Sequence, residues 1–350
     1  MQQKKTVKPG SLCLWVPVVS STGKPLMPCH PARAAQLLKG GKAKRRFKAG
    51  LFHIQLTQRA DADTQPVVAA ADPGSKKEGY CVASEKRIFL NVQADAVTWV
   101  KEAVEDRREA RRTRRYRKTP CRANRQNRAR GGIPPSTRAR WGAKLRVFNI
   151  LRQLFPIAVQ AIEDIKAKTK KGLRRWNTSF SPLEVGKQWC YDELRKFGEL
   201  RLFEGFETYT ARTAAGLKKT TNKLAETFTA HCVDAYVLAR LALGSTVVAP
   251  STERMHLLTP IQFHRRELQR RQPGKGGVRS PYGGTRSNKF SRGALVKHAK
   301  YGVCYVGGWL KDRISLHDRK TGKRLCQNAK PTECTFLTFN VWRLRVSSPA

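Results

Sequence analysis

Four residues carry types and spacings that suit the chemistry of a phosphodiester. Asp72 closes the apolar run Val67–Ala71 and is followed by Pro73-Gly74-Ser75, a strand ending at a turn. Glu163 sits near the end of a second apolar run, Ile157–Ile165 (IAVQAIEDI), which reads as a buried strand. His231 and Asp234 lie three positions apart in a helical stretch, hence on one helix face. Hydrolysing a phosphodiester needs a cluster of hard oxygen ligands, and two divalent ions about 4 Å apart can activate water and stabilise the leaving oxygen. Carboxylates suit Mg²⁺, with Mn²⁺ able to substitute, and a nearby histidine can assist proton transfer. Taken singly these residues are ordinary: Asp72-Pro73-Gly74 is a turn, Glu163-Asp164 a solvated strand end, His231 a packed helix residue. The order strand-Asp, strand-Glu, helix-His-x-x-Asp is far more specific, because acids number only 25 in 350 residues.

Several elements must position these residues. Leu12–Val19 is strand-like, Ser21–Lys24 is a turn, Pro31–Gly40 is a short helix with Pro in its first turn, and Phe47–Leu56 returns as a strand. After a polar linker, Val67–Ala71, Tyr80–Ala83 and Arg87–Val92 form an antiparallel meander. From Ala94 the pattern is helical and very basic: Lys and Arg are 12 of the 24 residues from 107 to 130. Arg107, Arg111, Arg114, Lys118, Arg122 and Arg125 step by three or four along one helical face, and Pro120 predicts a break near Thr119. A helix over 140–154 precedes the Glu163 strand, and Asn222–Leu243 reads as an amphipathic helix. The last hundred residues turn to short strand-like runs, Tyr301–Val306, Ile314–His317 and Phe336–Val341, the mark of a small β domain. Trp309, Phe336, Phe339 and Trp342 read as its core.

Composition narrows the class. Lys+Arg total 70 against Asp+Glu 25, a net charge of +45, which repels itself unless a polyanion neutralises it. Hydrophobic residues make up 40%, enough to build cores, and the length suggests two or three domains. No apolar stretch is long enough to span a bilayer, and the N-terminus lacks the apolar core of a signal peptide. Nine cysteines without a CxxC pair argue against a zinc ribbon or dithiol site and for reduced thiols in the cytoplasm. The expected partner is nucleic acid, with no membrane association.

The order of the four residues resembles the RNase H-like, RuvC-type nuclease fold. The flanking residues resemble the IscB/IsrB family of transposon-encoded, RNA-guided DNA nucleases. Pro25-Leu26-Met27-Pro28-Cys29-His30-Pro31-Ala32-Arg33-Ala34 looks like that family's PLMP signature. Asp72-Pro73-Gly74-Ser75-Lys76, Ala161-Ile162-Glu163-Asp164-Ile165 and His231-Cys232-Val233-Asp234-Ala235 look like its three RuvC motifs. The arginine run resembles its bridge helix. Gly186-Lys187-Gln188-Trp189, Tyr282-Gly283-Gly284-Thr285 and parts of Val303–Ala329 also look familial. One departure selects a branch. IscB carries an HNH nuclease domain between the second and third motifs, and such a domain needs histidines, yet none occurs between His53 and His231. The chain therefore looks like IsrB, the form without HNH.

What the resemblance implies is an α/β, RNase H-like (RuvC) core interrupted by an arginine-rich bridge helix, with a small N-terminal PLMP domain and a C-terminal β-rich domain. The boundaries expected are 1–58 for PLMP, 59–98 for RuvC part I, 99–135 for the bridge helix, 136–250 for RuvC parts II and III, and 251–350 for a target-adjacent-motif domain. The implied activity is that of an RNA-guided nickase cutting the non-target strand. Asp72, Glu163, His231 and Asp234 are its catalytic residues, and Asp72, Glu163 and Asp234 hold two Mg²⁺ ions. Arg107, Arg111, Arg114, Arg115, Lys118, Arg122 and Arg125 are expected to bind a long structured guide RNA, one protein chain per RNA. Lys24, Arg33, Lys39, Lys42, Lys44, Arg45 and Arg46, around PLMP, are expected to touch RNA, while Pro25 and Pro28 stiffen a turn. Arg279, Tyr282, Arg286, Asn288, Lys289 and Arg292 are candidates for reading the motif flanking the double-stranded target, though a glycine-rich basic loop could equally bind guide RNA. The physics agrees: a guide delegates sequence reading to base pairing, so the protein needs much positive charge and little sequence code. Two rivals stand beside this reading, a guide-free RuvC or RNase H-type nuclease and a non-enzymatic structural RNA-binding protein.

Overall fold

The computed structural model describes residues 15–117, 133, 135–164, 182–261, 286–287, 290–310, 312–340 and 342–347. In chain order the N-terminal elements are β1 (Val16–Val19), β2 (Pro25–Cys29), α1 (Pro31–Lys39), β3 (Ala43–Lys48) and β4 (Leu51–Leu56). Then come β5 (Val67–Asp72), β6 (Lys77–Ser84), β7 (Ile88–Asp95), α2 (Val100–Tyr116), α3 (Pro135–Leu154) and β8 (Ile157–Glu163). They are followed by α4 (Pro182–Arg195), β9 (Glu199–Phe203), α5 (Gly205–Ala214) and α6 (Phe228–Ala242). The C-terminal strands are β10 (His256–Pro260), β11 (Arg286–Ser287), β12 (Phe290–Ser291), β13 (Leu295–His298), β14 (Gly302–Leu310), β15 (Arg313–Asp318), β16 (Arg324–Ala329), β17 (Cys334–Thr338) and β18 (Trp342–Val346). Two compact units result: one holds Asp63–Met255, the other joins Cys13–Ala62 to His256–Ala350. No described helix is long and apolar enough to cross a membrane, and the cysteines in the described segments are free thiols.

In the unit Asp63–Met255 the strands lie in the order β7-β6-β5-β8-β9. β5, β6 and β7 form an antiparallel meander, while β8 runs parallel to β5 and β9 parallel to β8. That is the RNase H-like topology the sequence motifs imply, on a mixed α/β frame. Every residue of β5 (VVAAAD) is buried, as a central strand covered on both faces requires. One face is covered by α6, which packs on β5 and β6. On the opposite face Tyr80 of β6 meets Phe148 of α3, ring centroids 5.9 Å apart, and α4 packs on α3. The helix expected over 222–243 begins only at Phe228 and is not amphipathic. Nearly all of its residues, including His231, Asp234 and Arg240, are buried, because β5, β6, β7 and β8 lie under it and α5 lies beside it.

The other unit holds a four-stranded sheet, β2-β1-β4-β3, and a five-stranded antiparallel sheet, β16-β15-β14-β13-β17. The single strand expected over 47–56 is instead the end of β3, a turn at Ala49-Gly50 and the whole of β4. Ala49 (φ 49°) and Gly50 (φ 83°) both take positive φ, the tight turn whose twist suits paired strands, so Phe47 pairs with Phe52 across it. The PLMP residues form no turn: they are edge strand β2, with Leu26 and Pro28 buried and Met27 half-buried. An edge position tolerates prolines because it leaves one side without ladder bonds. Of the expected core aromatics, Trp342 is buried, but Phe336 and Phe339 are about half exposed, at 54% and 46%. Phe336 lies on β17, an edge of its sheet, and Phe339 lies in the loop after it. The side chain of Trp309 lies outside the described set.

Candidate metal centre

Asp72 is the last residue of β5, and the next two residues stop the strand. Pro73 has no N–H to extend the ladder. At Gly74 a Cβ would lie 1.7 Å from the Lys77 carbonyl oxygen, so only glycine lets the chain fold back into β6. Across the ladder Asp72 faces Gly79, where a Cβ would lie 2.1 Å from the His231 carbonyl oxygen. Helix α6 therefore rests directly on the backbone of β6, and this close approach lowers His231 and Asp234 onto the strand end. The parallel register that sets Ala71 beside Ile162 places Glu163 next to Asp72. Glu163 is fixed from its far side: the Asp164 N–H donates to the Phe203 carbonyl at 2.7 Å. Gly205, the first residue of α5, leaves room for its carboxylate, since a Cβ there would lie 2.9 Å from Glu163 Oε1.

One carboxylate oxygen from each of Asp72, Glu163 and Asp234 lies within 4.8 Å of the others. The first, second and third motifs thus converge on one point at the ends of β5 and β8. His231 borders it, with Nδ1 3.9 Å from Asp72 Oδ2. Its Nε2 is 3.0 Å from the Lys223 carbonyl oxygen, which can only accept, so the neutral ring carries its proton on Nε2 and turns a bare Nδ1 toward the cluster. Burial, then the charges of Asp72 and Asp234, push the Glu163 pKa up to about 7, against the opposing pull of Lys219 and Arg212.

Two cations that sequence reasoning missed face these acids. Arg212 of α5 pairs through Nη1 with Asp234 Oδ1, and Lys219, in the loop after α5, pairs with Asp234 Oδ2. Lys219 Nζ also lies 3.6 Å from Asp72 Oδ2. Burial opposes its charge, yet Asp72 and Asp234 hold its pKa above the ordinary lysine value. Nothing in the sequence marks these two among 70 basic residues.

Behind Glu163 the motif Gly186-Lys187-Gln188-Trp189 has a structural account. A Cβ at Gly186 would lie 2.6 Å from Trp141 Cδ1, so glycine lets α4 close on α3. Lys187 is buried and pairs with Asp164 at 2.9 Å and Glu184 at 2.7 Å, and the Tyr191 hydroxyl donates to Asp164 at 3.1 Å. On β6, beyond β5, Glu78 is bonded at 2.5 Å by Lys144 of α3, and the Tyr80 hydroxyl donates to the same carboxylate at 2.5 Å. A cleft of about 220 Å³ opens beside Glu163, lined among others by Trp141, Tyr191, Arg140 and Lys187.

The expected nucleic-acid-binding residues are spread over both units. α2 starts at Val100 rather than Ala94, which belongs to β7, and ends at Tyr116, ahead of the expected break. Arg111 and Arg115 are exposed on it, as are Arg108 and Arg112. Arg107 and Arg114 lie on the same helix, their side chains outside the described set, and Lys118, Arg122 and Arg125 lie outside the described residues altogether. Around PLMP, Arg33, Lys39, Lys42, Lys44, Arg45 and Arg46 are exposed or nearly so, and Lys24 extends its ammonium to Asp61 at 2.6 Å. Of the motif-reading candidates, Arg279, Tyr282, Asn288 and Lys289 lie outside the described residues, and Arg286 is on β11. Arg292 lines a second pocket of about 220 Å³ with Tyr305, His317 and Arg343.

Residues 16–175 match the family described as RRXRR protein. No curated protein matches the chain significantly. Among solved structures the chain is similar to RuvC of Thermus thermophilus in complex with Holliday junction substrate, at 14% identity and a TM-score of 0.28, over 52% of this chain and 98% of that one. It is also similar to the yeast mitochondrial Holliday junction resolvase, at 16% identity and a TM-score of 0.26, over 51% of this chain and 79% of that one.

Proposed function

We propose that the chain is a metal-dependent endodeoxyribonuclease, an RNA-guided nickase of the IsrB type that cuts the non-target strand. The observation that carries the reading is the convergence of Asp72, Glu163 and Asp234 oxygens within 4.8 Å at the ends of two parallel strands. The donor set fits the cation: three hard carboxylate oxygens suit Mg²⁺, which prefers oxygen and retains waters. The raised pKa of Glu163 reflects its burial and then its crowding by two other acids, a cost that a cation relieves. When bound, divalent cations supply an activated water and neutralise charge at the scissile phosphate. The protein's own residues do the rest. Asp72, Glu163 and Asp234 would hold the cations, and His231, with Nδ1 turned toward the cluster, would take a proton or complete the ligand set. Arg212 keeps Asp234 turned inward.

RNA guidance is supported by the net charge of +45, by the exposed arginines of α2 and by the RRXRR match over 16–175. Nicking rather than double cutting is supported by the one acidic cluster of this kind found among the described residues. The test is a plasmid carrying the guide-matched site, with each strand labelled separately. The expected product is open circle, cut only on the strand not paired to guide. Asp72→Ala and Asp234→Ala should abolish cutting while RNA-guided binding persists. Linear product from single complexes refutes nicking. Guide-independent cutting of branched DNA would move the assignment to a resolvase, and cutting in excess chelator would remove the metal.

A further inference from the structure

Both oxygens of Asp234 are occupied in this structure, one by Arg212 and the other by Lys219. The two cations are not equivalent. Arg212 is anchored on helix α5, and its side chain is 13% exposed. Lys219 projects from the irregular loop between α5 and α6, is 32% exposed, and reaches across to Asp72 at 3.6 Å. A divalent cation ligated by Asp72 and Asp234 needs the space its ammonium fills. A lysine stem has four rotatable bonds and a strongly hydrated head, so it can withdraw into water without moving the helices. The guanidinium on the other oxygen can stay, because a carboxylate accepts on both oxygens at once.

We propose that Lys219 is the displaceable counter-ion of the metal centre: its ammonium stands between Asp72 and Asp234 without metal and leaves when a divalent cation binds. This rests on the metal-centre reading above. The exchange explains how three carboxylates stay assembled before metal arrives, since like charges this close repel strongly. It also makes Lys219 a competitor, so the centre holds metal less tightly than its ligands alone would. Arg212, less exposed and off the shared edge, is a positioning residue.

The test uses the full chain, stripped of nucleic acid, with Mn²⁺ alone as probe. Calorimetric titration and thermal unfolding are read for wild type, Lys219→Met, Lys219→Arg and Asp234→Asn. Lys219→Met should unfold at lower temperature than wild type in chelator, yet bind Mn²⁺ about tenfold more tightly, the scale of one partly buried ion pair. Its rise in unfolding temperature on adding Mn²⁺ should exceed that of wild type. Lys219→Arg keeps the charge and should stay near wild type in affinity, which guards against a loss of packing alone. Unchanged or weaker Mn²⁺ binding by Lys219→Met, with wild type responding normally, overturns the proposal. If wild type and Asp234→Asn bind Mn²⁺ alike, the metal-centre reading itself fails, and the proposal with it.

Discussion

Replacing Glu163 by Gln should make the metal-free protein more stable and the enzyme inactive. The carboxyl titrates near 4.5 in an unfolded chain but at about 7 in the folded one. Between those values the folded state holds a proton that the unfolded state has released. Stability therefore falls as pH rises through that window, and the penalty is complete above about pH 7.5. A tenfold change in proton affinity is about 1.4 kcal/mol, so the full displacement corresponds to about 3 kcal/mol. Glu163 is partly open to solvent, and screening leaves about 2 kcal/mol. Gln has the same shape and no charge. Its gain over wild type should be near zero at pH 4.5 and reach about 2 kcal/mol at pH 8, or about 4–8 °C for a unit of this size. The assay is thermal and urea unfolding in chelator across that range, then in excess Mg²⁺, where the ranking should invert. A gain that does not change with pH, or a loss at pH 8, would refute the burial and crowding of this acid.

Gly79→Ala should destabilise the protein by about 2–3 kcal/mol and cut the proposed nuclease activity at least tenfold, because its Cβ would lie 2.1 Å from the His231 carbonyl and lift α6 off the strand. Urea unfolding and plasmid nicking read both effects, and wild-type behaviour would mean the helix is not seated there. Lys187→Met should cost about 3–5 kcal/mol, since it leaves Asp164 and Glu184 without their buried partner; an unchanged unfolding midpoint would count against that network. Neutralising Arg111 and Arg115 together should weaken guide RNA binding and reduce its log–log salt slope by about 0.7–0.9 for each phosphate no longer neutralised. An unaltered slope would mean that these exposed side chains face only water.

The meander, the two parallel strands and the acids at their ends are legible in the sequence because strand ends bear punctuation. Pro73-Gly74 stops β5, and the apolar run of β8 ends in Glu163-Asp164. Where reading by period went wrong, the third dimension had overruled it. Phe47–Leu56 reads as one strand because Ala49 gives no warning of a positive φ. The α6 stretch reads as amphipathic because His231, Asp234 and Arg240 look like a wet face, yet each has its partner indoors: Lys223, Lys219 and Arg212, and the Thr246 and Glu85 carbonyls. β9 (ELRLF) alternates charge and apolar residues over only five positions, too short a run to stand out in so basic a stretch, and its membership of the sheet comes from its pairing with β8. Lys219 and Arg212 are invisible for a different reason: charge is the commonest property of this chain, so only distance distinguishes them.

The hairpin between β3 and β4 has a consequence for how the chain is made. Its tip is closed by residues from the far end of the sequence. The Trp342 indole donates to the Ala49 carbonyl at 2.9 Å across 293 positions, and Thr338 reaches the Phe47 carbonyl across 291. A ribosome exposes that tip long before its lid exists. Loop closure over such a span is slow, so the early hairpin must wait, half-covered, while Asp63–Met255 is synthesised. Truncations that remove β17 and β18 should then injure the β3–β4 hairpin as well as the C-terminal sheet. A circular permutant joining the two segments directly would shorten the wait, and should fold faster than the natural chain order.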